Sequence, residues 1–531
     1  MTGKFVEQVR SFGWGRPLSL LLIVGLLMPA MLMASAPQPA AATQASSRGS
    51  ARGVQPALLT IAAERPEAAV RVIVQKVVQD DSPSLRPSSG QAMGSGHGVE
   101  NLVARLGGEV IKDLHIINAF AAEMPAGMVP ELARAAGVRW VSLDAPVEST
   151  GKGGGGKGGG SSGPAPQNYF LDTLGVRQVW DMGLDGTDIA VAVIDSGISN
   201  DTDFKVSEYD NSSRVKQQLS FNPNSTSAND AHGHGTHVAG IIGGNGIDSG
   251  GAYAGIAPNV KFISLKISDD TGVAYESDTV EAMQWVLDNK DQDHYKIRVV
   301  NLSINSTVEQ SYHTSPLDAA AEILWFNGLV VVASAGNKGP GGGHNTVDAA
   351  PANDPFIITV GASNEHGTPD PADDTVAPFS AHGVTMDGFV KPDVIAPGKD
   401  IISVLAQDSP WSLEHPDRVV LNGEYFRLSG TSMAAPMVTG AVVLLLQDEP
   451  DLNPDQVKYR LTHATNDTIG SGSADGGSYP YLNVYAAVTG TMTETANTGI
   501  EASQLLWTGD EPINWGSVNW GSVNWGSVNW G

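Results

Sequence analysis

The 531-residue chain contains no cysteine. That absence excludes disulfide staples, thiolate-ligated zinc, iron–sulfur clusters and a thiol nucleophile together. It does not place the protein in the cytosol, because a chain of this length can bury a core that needs no staples. Basic residues are also scarce: 31 Lys and Arg stand against 57 Asp and Glu, a formal charge of −26. The acidity lies almost wholly after Asp144. Such a surface repels phosphate backbones and keeps a protein soluble, so no nucleic-acid partner is expected. Long apolar runs are few. The first, "LSLLLIVGLLMPAMLMA", follows Lys4, Arg10 and Arg16 and runs into "ASA" at Ala34–Ala36. Charged, apolar and small-residue stretches in this order predict an export signal over residues 1–36, and the run is short of the ~20 residues of a membrane span. Secretion is expected, the signal being either cleaved or kept as an anchor.

What is present divides the chain. After a Ser/Ala/Pro-rich spacer (37–69), residues 70–147 read as a small α+β domain. "VRVIVQKVV" predicts a strand, and "VENLVARLGG" puts Val99, Leu102, Val103 and Leu106 on one helical face. "EVIKDLHIINAFAAEMP" predicts two strands, "MVPELARAAG" a helix and "VRWVSLD" a last strand. This β-α-β-β-α-β order is ferredoxin-like. Residues 148–168 are dominated by "STGKGGGGKGGGSSGPAPQ", a composition that makes a flexible, protease-accessible linker. From 169 to 488, "IAVAVID", "VKFISLKI", "RVVNLSI", "LVVVASAG" and "FIITVGA" are near-continuous apolar runs. Such runs belong to strands buried on both faces, so an α/β domain with a mostly parallel sheet and helices on both faces follows. Helices are expected from Ser277 to about Asn289 and from Ser315, with Pro316 in the first turn, to Gly328.

Ligand chemistry in such sheets gathers at the carboxyl ends of the strands. There "IAVAVID" ends on Asp195 and "LVVVASAGN" on Asn337. In "LSGTSMAAPMVTGAVVLLLQ", Gly430 is expected in a tight turn and Ser432 at the start of a helix apolar all round, hence buried. A serine there either caps the helix or sits where backbone N–H groups favour developing negative charge. "AHGHGTHVAG" adds His232, His234 and His237. These three could make a metal cluster, which would lack a fourth ligand, or supply one general base. Asp195, His234 and Ser432 follow the order Asp…His…Ser of a hydrolase triad.

Each of these residues adjoins a motif that resembles the subtilisin-like serine proteases, or subtilases: "VIDSGI", "HGHGTHVAG", "SAGN" and "SGTSMAAP", with "KPDVIAPG" and "GIAP" besides. The resemblance covers roughly Leu171 to Val488. It implies the subtilisin-like fold and a serine endopeptidase acting on proteins or peptides. His234 would be the base, Asp195 its orienting carboxylate and Ser432 the nucleophile, with Asn337 and the Ser432 N–H forming the oxyanion hole. It reads His237 as a packing residue and His232 as a solvent-side neighbour. Substrate would lie extended along "NLSIN", with Ser303, Ile304, Asn305, Ser334, Ala335 and Gly336 walling its pocket. Asn305 stands where many relatives have glycine and would narrow the rim or add a hydrogen bond. Met437 stands where many have histidine, a packing change. The small domain would be a propeptide that assists folding and then inhibits, cut within 147–168. No cofactor is implied for the chemistry. A structural calcium is, with Asp203 as a ligand. The chain is expected to be a monomer.

The end of the 489–531 segment repeats N-W-G-S-V, with Trp515, Trp520, Trp525 and Trp530 at period five. That period fits neither helix nor flat strand. The repeats are either an exposed tail that associates with a cell surface or a plain disordered one.

Overall fold

In the computed structural model the apolar runs become the parallel strands of one large sheet. The structure describes residues 53–77, 97–149, 151–152, 167–339, 346–470 and 477–506. The expected export signal, most of the glycine-rich linker and the Trp repeats lie outside them.

The large sheet runs, in spatial order, Thr465–Gly470, Ser478–Leu482, Val394–Pro397, Ile358–Asn364, Val330–Ser334, Ile297–Leu302, Ala190–Asp195, Lys261–Lys266 and Val215–Ser220. Neighbours are parallel, except the antiparallel hairpin of the first two strands and a short tenth strand, Thr375–Val376, that pairs antiparallel with the end of Ile358–Asn364. Every residue of Ala190–Asp195 and of Val330–Ser334 is buried, so both faces are covered, as an unbroken apolar strand requires. Helix Thr431–Asp448 packs on this sheet and against helix His234–Gly243. Glu276–Asn289 packs against Pro316–Phe326. Among the described residues, Thr431–Asp448 is the one helix long and apolar enough to cross a membrane, and it is the buried core helix.

Local chemistry explains the helix starts. Ser315 Oγ accepts from Asp318 N (3.2 Å) with Pro316 at the first helical position, and Gly328 follows the helix end at φ +83°. Asn453 and Gln456 form a reciprocal capping box ahead of Pro454–His463.

The small domain carries a sheet in the order Gly53–Val54, Val138–Leu143, Ala69–Lys76, Ala119–Pro125, Glu109–Leu114. The last four strands have the ferredoxin-like arrangement. The spacer expectation for 37–69 needs correction: Gly53–Val54 is an edge strand and Pro56–Glu64 a helix whose Leu58 is fully buried. Proline at the first turn of "PALLTIAAE" is the signal for that helix.

Asp144 and Lys112 are two of the polar anchors that seat the small domain on the large one. Asp144 accepts from Ser277 N (2.8 Å) and Ser277 Oγ (2.9 Å), capping Glu276–Asn289, and also binds Arg71 (2.9 Å). Lys112 reaches Asp278 (2.9 Å) and Glu281. Ile73, Leu114 and Ile117 join the large domain's apolar core between these polar anchors. The expected tail also needs correction: residues 490–506 pack back on the fold, with Ser503, Leu505 and Leu506 buried.

Candidate active site

Asp195 ends the central strand, and His234 opens helix His234–Gly243. Asp195 Oδ1 accepts from Ser196 N (2.7 Å) and lies 2.7 Å from His234 Nδ1. That contact places the imidazole proton on Nδ1 and leaves Nε2 as the basic nitrogen. His234 is fully buried, and Nε2 makes no hydrogen bond among the described residues.

The turn that delivers His234 is built by a residue the motifs did not single out. Asp230 Oδ1 accepts from His232 N (3.0 Å), Gly233 N (2.7 Å) and Ser196 Oγ (2.9 Å). Its Oδ2 takes Thr236 N (2.9 Å) and Thr236 Oγ1 (2.6 Å). A buried carboxylate ahead of a helix start is a capping signal, legible in "NDAHGHGTH". Ser196 Oγ in turn accepts from Gly235 N (2.9 Å), and a Cβ on Gly235 would meet Gly197 O at 2.2 Å. Glycine there lets the helix touch the strand end.

Ser432 sits in the first turn of Thr431–Asp448 and is fully buried. Gly430 before it is extended at φ 162°, so the expected tight turn is absent. Ser432 Oγ donates to Ser303 O (3.0 Å). Pro436 has no N–H to give Ser432 O, as an i→i−4 bond would require, and Ser303 Oγ fills that role from 3.2 Å. Asn337 Oδ1 accepts from Thr431 N (3.0 Å) and Thr431 Oγ1 (3.2 Å), while Thr431 Oγ1 accepts from Gly336 N (3.1 Å). Asn337 is thereby held beside the helix start with its amide nitrogen as the donor end.

Asn305 does not stand as a rim gate. Its Nδ2 donates to Ser334 O (3.0 Å), tying the Ile304–Ser306 strand to the Ser334–Gly336 segment. Gly336 has φ +101°, and a Cβ there would come within 3.3 Å of Asn305 Oδ1. Ser303, Ile304, Asn305, Ser334 and Ala335 are all buried.

The three histidines separate as individuals rather than as a cluster. His237 is buried, its Nε2 2.9 Å from Phe426 O, and burial pushes its pKa down to about 3, so it is a neutral packing residue. His232 is half-buried. It packs edge-on against Trp411 (ring centroids 4.9 Å apart), and burial, then His234, lowers its pKa. Trp411 also stands edge-on to His234 (5.8 Å, 82°), delivered by the short helix Pro410–Glu414.

Asp203 is buried, and both its oxygens are hydrogen-bonded within the protein, to Tyr425 Oη (2.7 Å) and Asp248 N (3.2 Å). The carboxylates that converge nearby are those of Asp201, Asp248 and Glu424, with ligand oxygens within 4.8 Å of one another. Burial, with the like charges around it, raises Asp201 to about 6.

The cleft beside Ser432 holds the chain itself. Strand Pro146–Ser149 runs antiparallel to Ile304–Ser306 on one side and to Ala274–Tyr275 on the other. Glu148 pairs with Asn305 and Ser149 with Ile304. The chain then pairs again at Gly151 with Gly430 and at Lys152 with Ser429. Between Val147, Ser149, His232 and Ser268 there remains a cavity of about 20 Å³, room for about one water molecule.

Comparison with known proteins places this geometry. A profile described as the subtilase family matches residues 186–484. Serine protease AprX of Bacillus subtilis (strain 168) is 37% identical over 287 residues, 53% of this chain and 62% of that protein. Subtilisin E of the same organism is 29% identical over 364 residues, 68% of this chain and 79% of its own. The crystal structure of fervidolysin from Fervidobacterium pennivorans, described as a keratinolytic enzyme related to subtilisin, aligns with TM-score 0.58 and 25% identity. That alignment covers 82% of this chain and 62% of fervidolysin, so the match to AprX and to fervidolysin leaves over a third of each unspanned. The chain belongs to the subtilase family.

Proposed function

We propose that the protein is an exported serine endopeptidase, made as a zymogen that cuts its own chain, and that it hydrolyses peptide bonds through an acyl-enzyme on Ser432. The observation that carries this reading is the course of residues 146–152. A peptide strand lies in the cleft as an added β-strand and pairs on both sides of the Ser432 turn, the pose an extended substrate takes. The pairings of Ser149 with Ile304 and of Gly151 with Gly430 bracket position 150 in the chain, so the bond expected to break is Thr150–Gly151.

In the reaction Ser432 Oγ exchanges its bond to Ser303 O for one to His234 Nε2. It gives its proton to that nitrogen and bonds to the carbonyl carbon. Asp195 holds the imidazolium that results, and such acid–base work is typically worth about 10²–10⁴ in rate. The Ser432 N–H and the Asn337 amide face the oxygen that becomes negative. His234 returns the proton to the leaving amine, and water then releases the acyl group by the reverse sequence. Export rests on the order of charged, apolar and small residues up to Ala36. Calcium, typical of the family, suits an all-carboxylate oxygen set. Asp201, Asp248 and Glu424 are the residues that would hold it, and the chemistry does not pass through them.

A fluorophosphonate probe tests the reading on protein recovered from an exporting host, beside Ser432→Ala. The wild type should be labelled and begin at Gly151, while the variant stays unlabelled and retains the small domain. If neither is labelled or cut although both are folded, the fold serves here as a binding scaffold and the proposal fails.

A further inference from the structure

Arg139 lies in the small domain's strand Val138–Leu143, is 8% exposed, and has no carboxylate partner among the described residues. A buried guanidinium without a counter-charge is costly unless its N–H groups are taken up. Burial alone lowers its pKa to about 10. The acceptors it finds come from the far end of the chain: Nη1 donates to Leu505 O (3.4 Å) and Nη2 to Gln504 O. On the adjoining strand Gln75, which pairs with Trp140 next to Arg139, is also buried and donates Nε2 to Leu505 O (2.5 Å) and Ile117 O (2.9 Å).

The segment Ser503–Leu506 that carries these two carbonyls is gripped from the other side by the large domain. Ser503 N donates to both oxygens of Glu322 on helix Pro316–Phe326 (3.0 and 2.8 Å), and Ser503 Oγ to His313 O (3.2 Å). Tyr312 Oη donates to Glu501 O (2.8 Å) just upstream. Leu505 and Leu506 are buried in the apolar core that the two domains share. Upstream again, Asn497 Nδ2 reaches Asp455 Oδ1 (2.7 Å) and Phe356 O (2.9 Å), so the segment is fastened to the large domain well before it meets the small one. Neither Arg139 and Gln75 nor the segment from Asn497 to Leu506 lies within residues 186–484, which match the family.

We propose that residues 503–506 are a clasp that binds the propeptide domain to the enzyme, recognising Arg139 and Gln75 through the carbonyls of Gln504 and Leu505. This rests on the zymogen reading and extends it. Cutting the chain near residue 150 severs the covalent link but leaves the clasp closed. Release then requires Arg139 to give up its only described acceptors, so the clasp slows release and delays the free enzyme. The large domain's anchors keep the segment in place afterwards.

The test compares four full-length-derived chains: wild type, one ending at Leu506, one ending at Ala502, and Arg139→Met. In each, self-cleavage is followed by intact mass, and loss of the cleaved propeptide by size exclusion. The chain ending at Leu506 should hold its propeptide as wild type does, separating the clasp from residues 507–531. The chain ending at Ala502 and Arg139→Met should cut at the wild-type rate but release about tenfold or more faster, as expected for losing hydrogen bonds to a buried charge. Release at the wild-type rate in both overturns the clasp. If no chain cuts itself, the zymogen reading fails separately, and the contact is read in uncut Ser432→Ala precursor by hydrogen exchange. There the Ser503 and Leu505 amides should be protected, and lose protection when Arg139→Met is added. Equal exchange with and without Arg139 overturns the proposal irrespective of processing.

Discussion

Ser303 and Ser432 hold each other by two reciprocal bonds: Ser432 Oγ donates to Ser303 O (3.0 Å), and Ser303 Oγ donates to Ser432 O (3.2 Å). The second bond exists because Pro436 cannot supply the helical N–H. Ser303→Ala therefore strands the buried carbonyl of Ser432. It should lower stability by about 1–3 kcal/mol, the usual cost of an unsatisfied buried acceptor. Adding Pro436→Ala should recover most of that, since the restored helical N–H gives Ser432 O its partner. A thermal denaturation double-mutant cycle checks this, and strict additivity of the two changes would show that the carbonyl is not the link.

Asn337 does two jobs with the two ends of one amide. Oδ1 receives Thr431 N and Oγ1, which is structural, and the nitrogen is the donor proposed for the oxyanion hole. Asn337→Asp keeps the acceptor and deletes the donor. The melting temperature should stay near wild type while kcat falls about 10²–10³-fold with KM little changed, as for the loss of one oxyanion donor. A loss confined to KM would mean that the side chain binds ground-state substrate instead.

The seat of the small domain predicts a pH-dependent release. Glu276 is fully buried there, its Oε1 accepting from Ser306 Oγ (2.6 Å) and its N–H donating to Ala145 O (2.9 Å). Burial first, then Asp144, push its pKa up to about 8 from an ordinary 4.5, against the lowering effect of the Ser306 bond. When the small domain leaves, Asp144 goes with it and water returns, so Glu276 moves back towards 4.5. The bound state thus holds a proton that the separated state gives up. Binding is strongest below about 4.5 and weakens as pH rises through about 8, by at most about tenfold per unit for one proton. Arg71 and Lys112 also face this contact, and Asp278, raised to about 6 by burial, is lowered by Lys112, so its own change on release is partly cancelled. Dissociation of the small domain, once the chain is cut as proposed, should accelerate from pH 5 to 9 in wild type and lose most of that dependence in Glu276→Gln. Faster release in acid would contradict the assignment.

Much of this was legible before the structure because the signals were of two robust kinds. Apolar runs such as "IAVAVID" admit few positions other than a doubly covered strand, and polar residues at their ends, Asp195 and Asn337, mark the edge of a site. What stayed illegible depends on partners far apart in the chain. Nothing local in "SQLL" announces a contact with Arg139, and Trp411 lies in a polar stretch with no period that would aim it at His234. Asp203 was a reasonable ligand by its distance from Asp195. Its neighbour Tyr425 takes one oxygen, however, and the convergence of Asp201 with Asp248 and Glu424 is a product of folding. Asn305 shows the same limit, since its hydrogen bond to Ser334 depends on the strand spacing rather than on its own chemistry.

The three carboxylates of Asp201, Asp248 and Glu424 give a last expectation. Three like charges this close repel one another, and Asp201 is held above the usual carboxylate range, mainly by burial and also by Asp203, Asp248 and Glu424. A carboxylate raised to about 6 opposes folding as pH climbs through that value, because the unfolded chain ionises it more readily. A divalent cation bound there removes both penalties. Calcium at about 100 times its dissociation constant would add about 2.7 kcal/mol to the folded state. For a domain of this size that is a rise of several degrees in melting temperature. Calcium should therefore raise Tm at pH 8 far more than at pH 5, where Asp201 is protonated and competes with the ion. Asp248→Asn should abolish the calcium effect and raise Tm slightly in its absence, by relieving the repulsion. Differential scanning of Ser432→Ala, which cannot digest itself during heating, reads all four conditions. An equal calcium effect in Asp248→Asn would place the ion elsewhere in the fold.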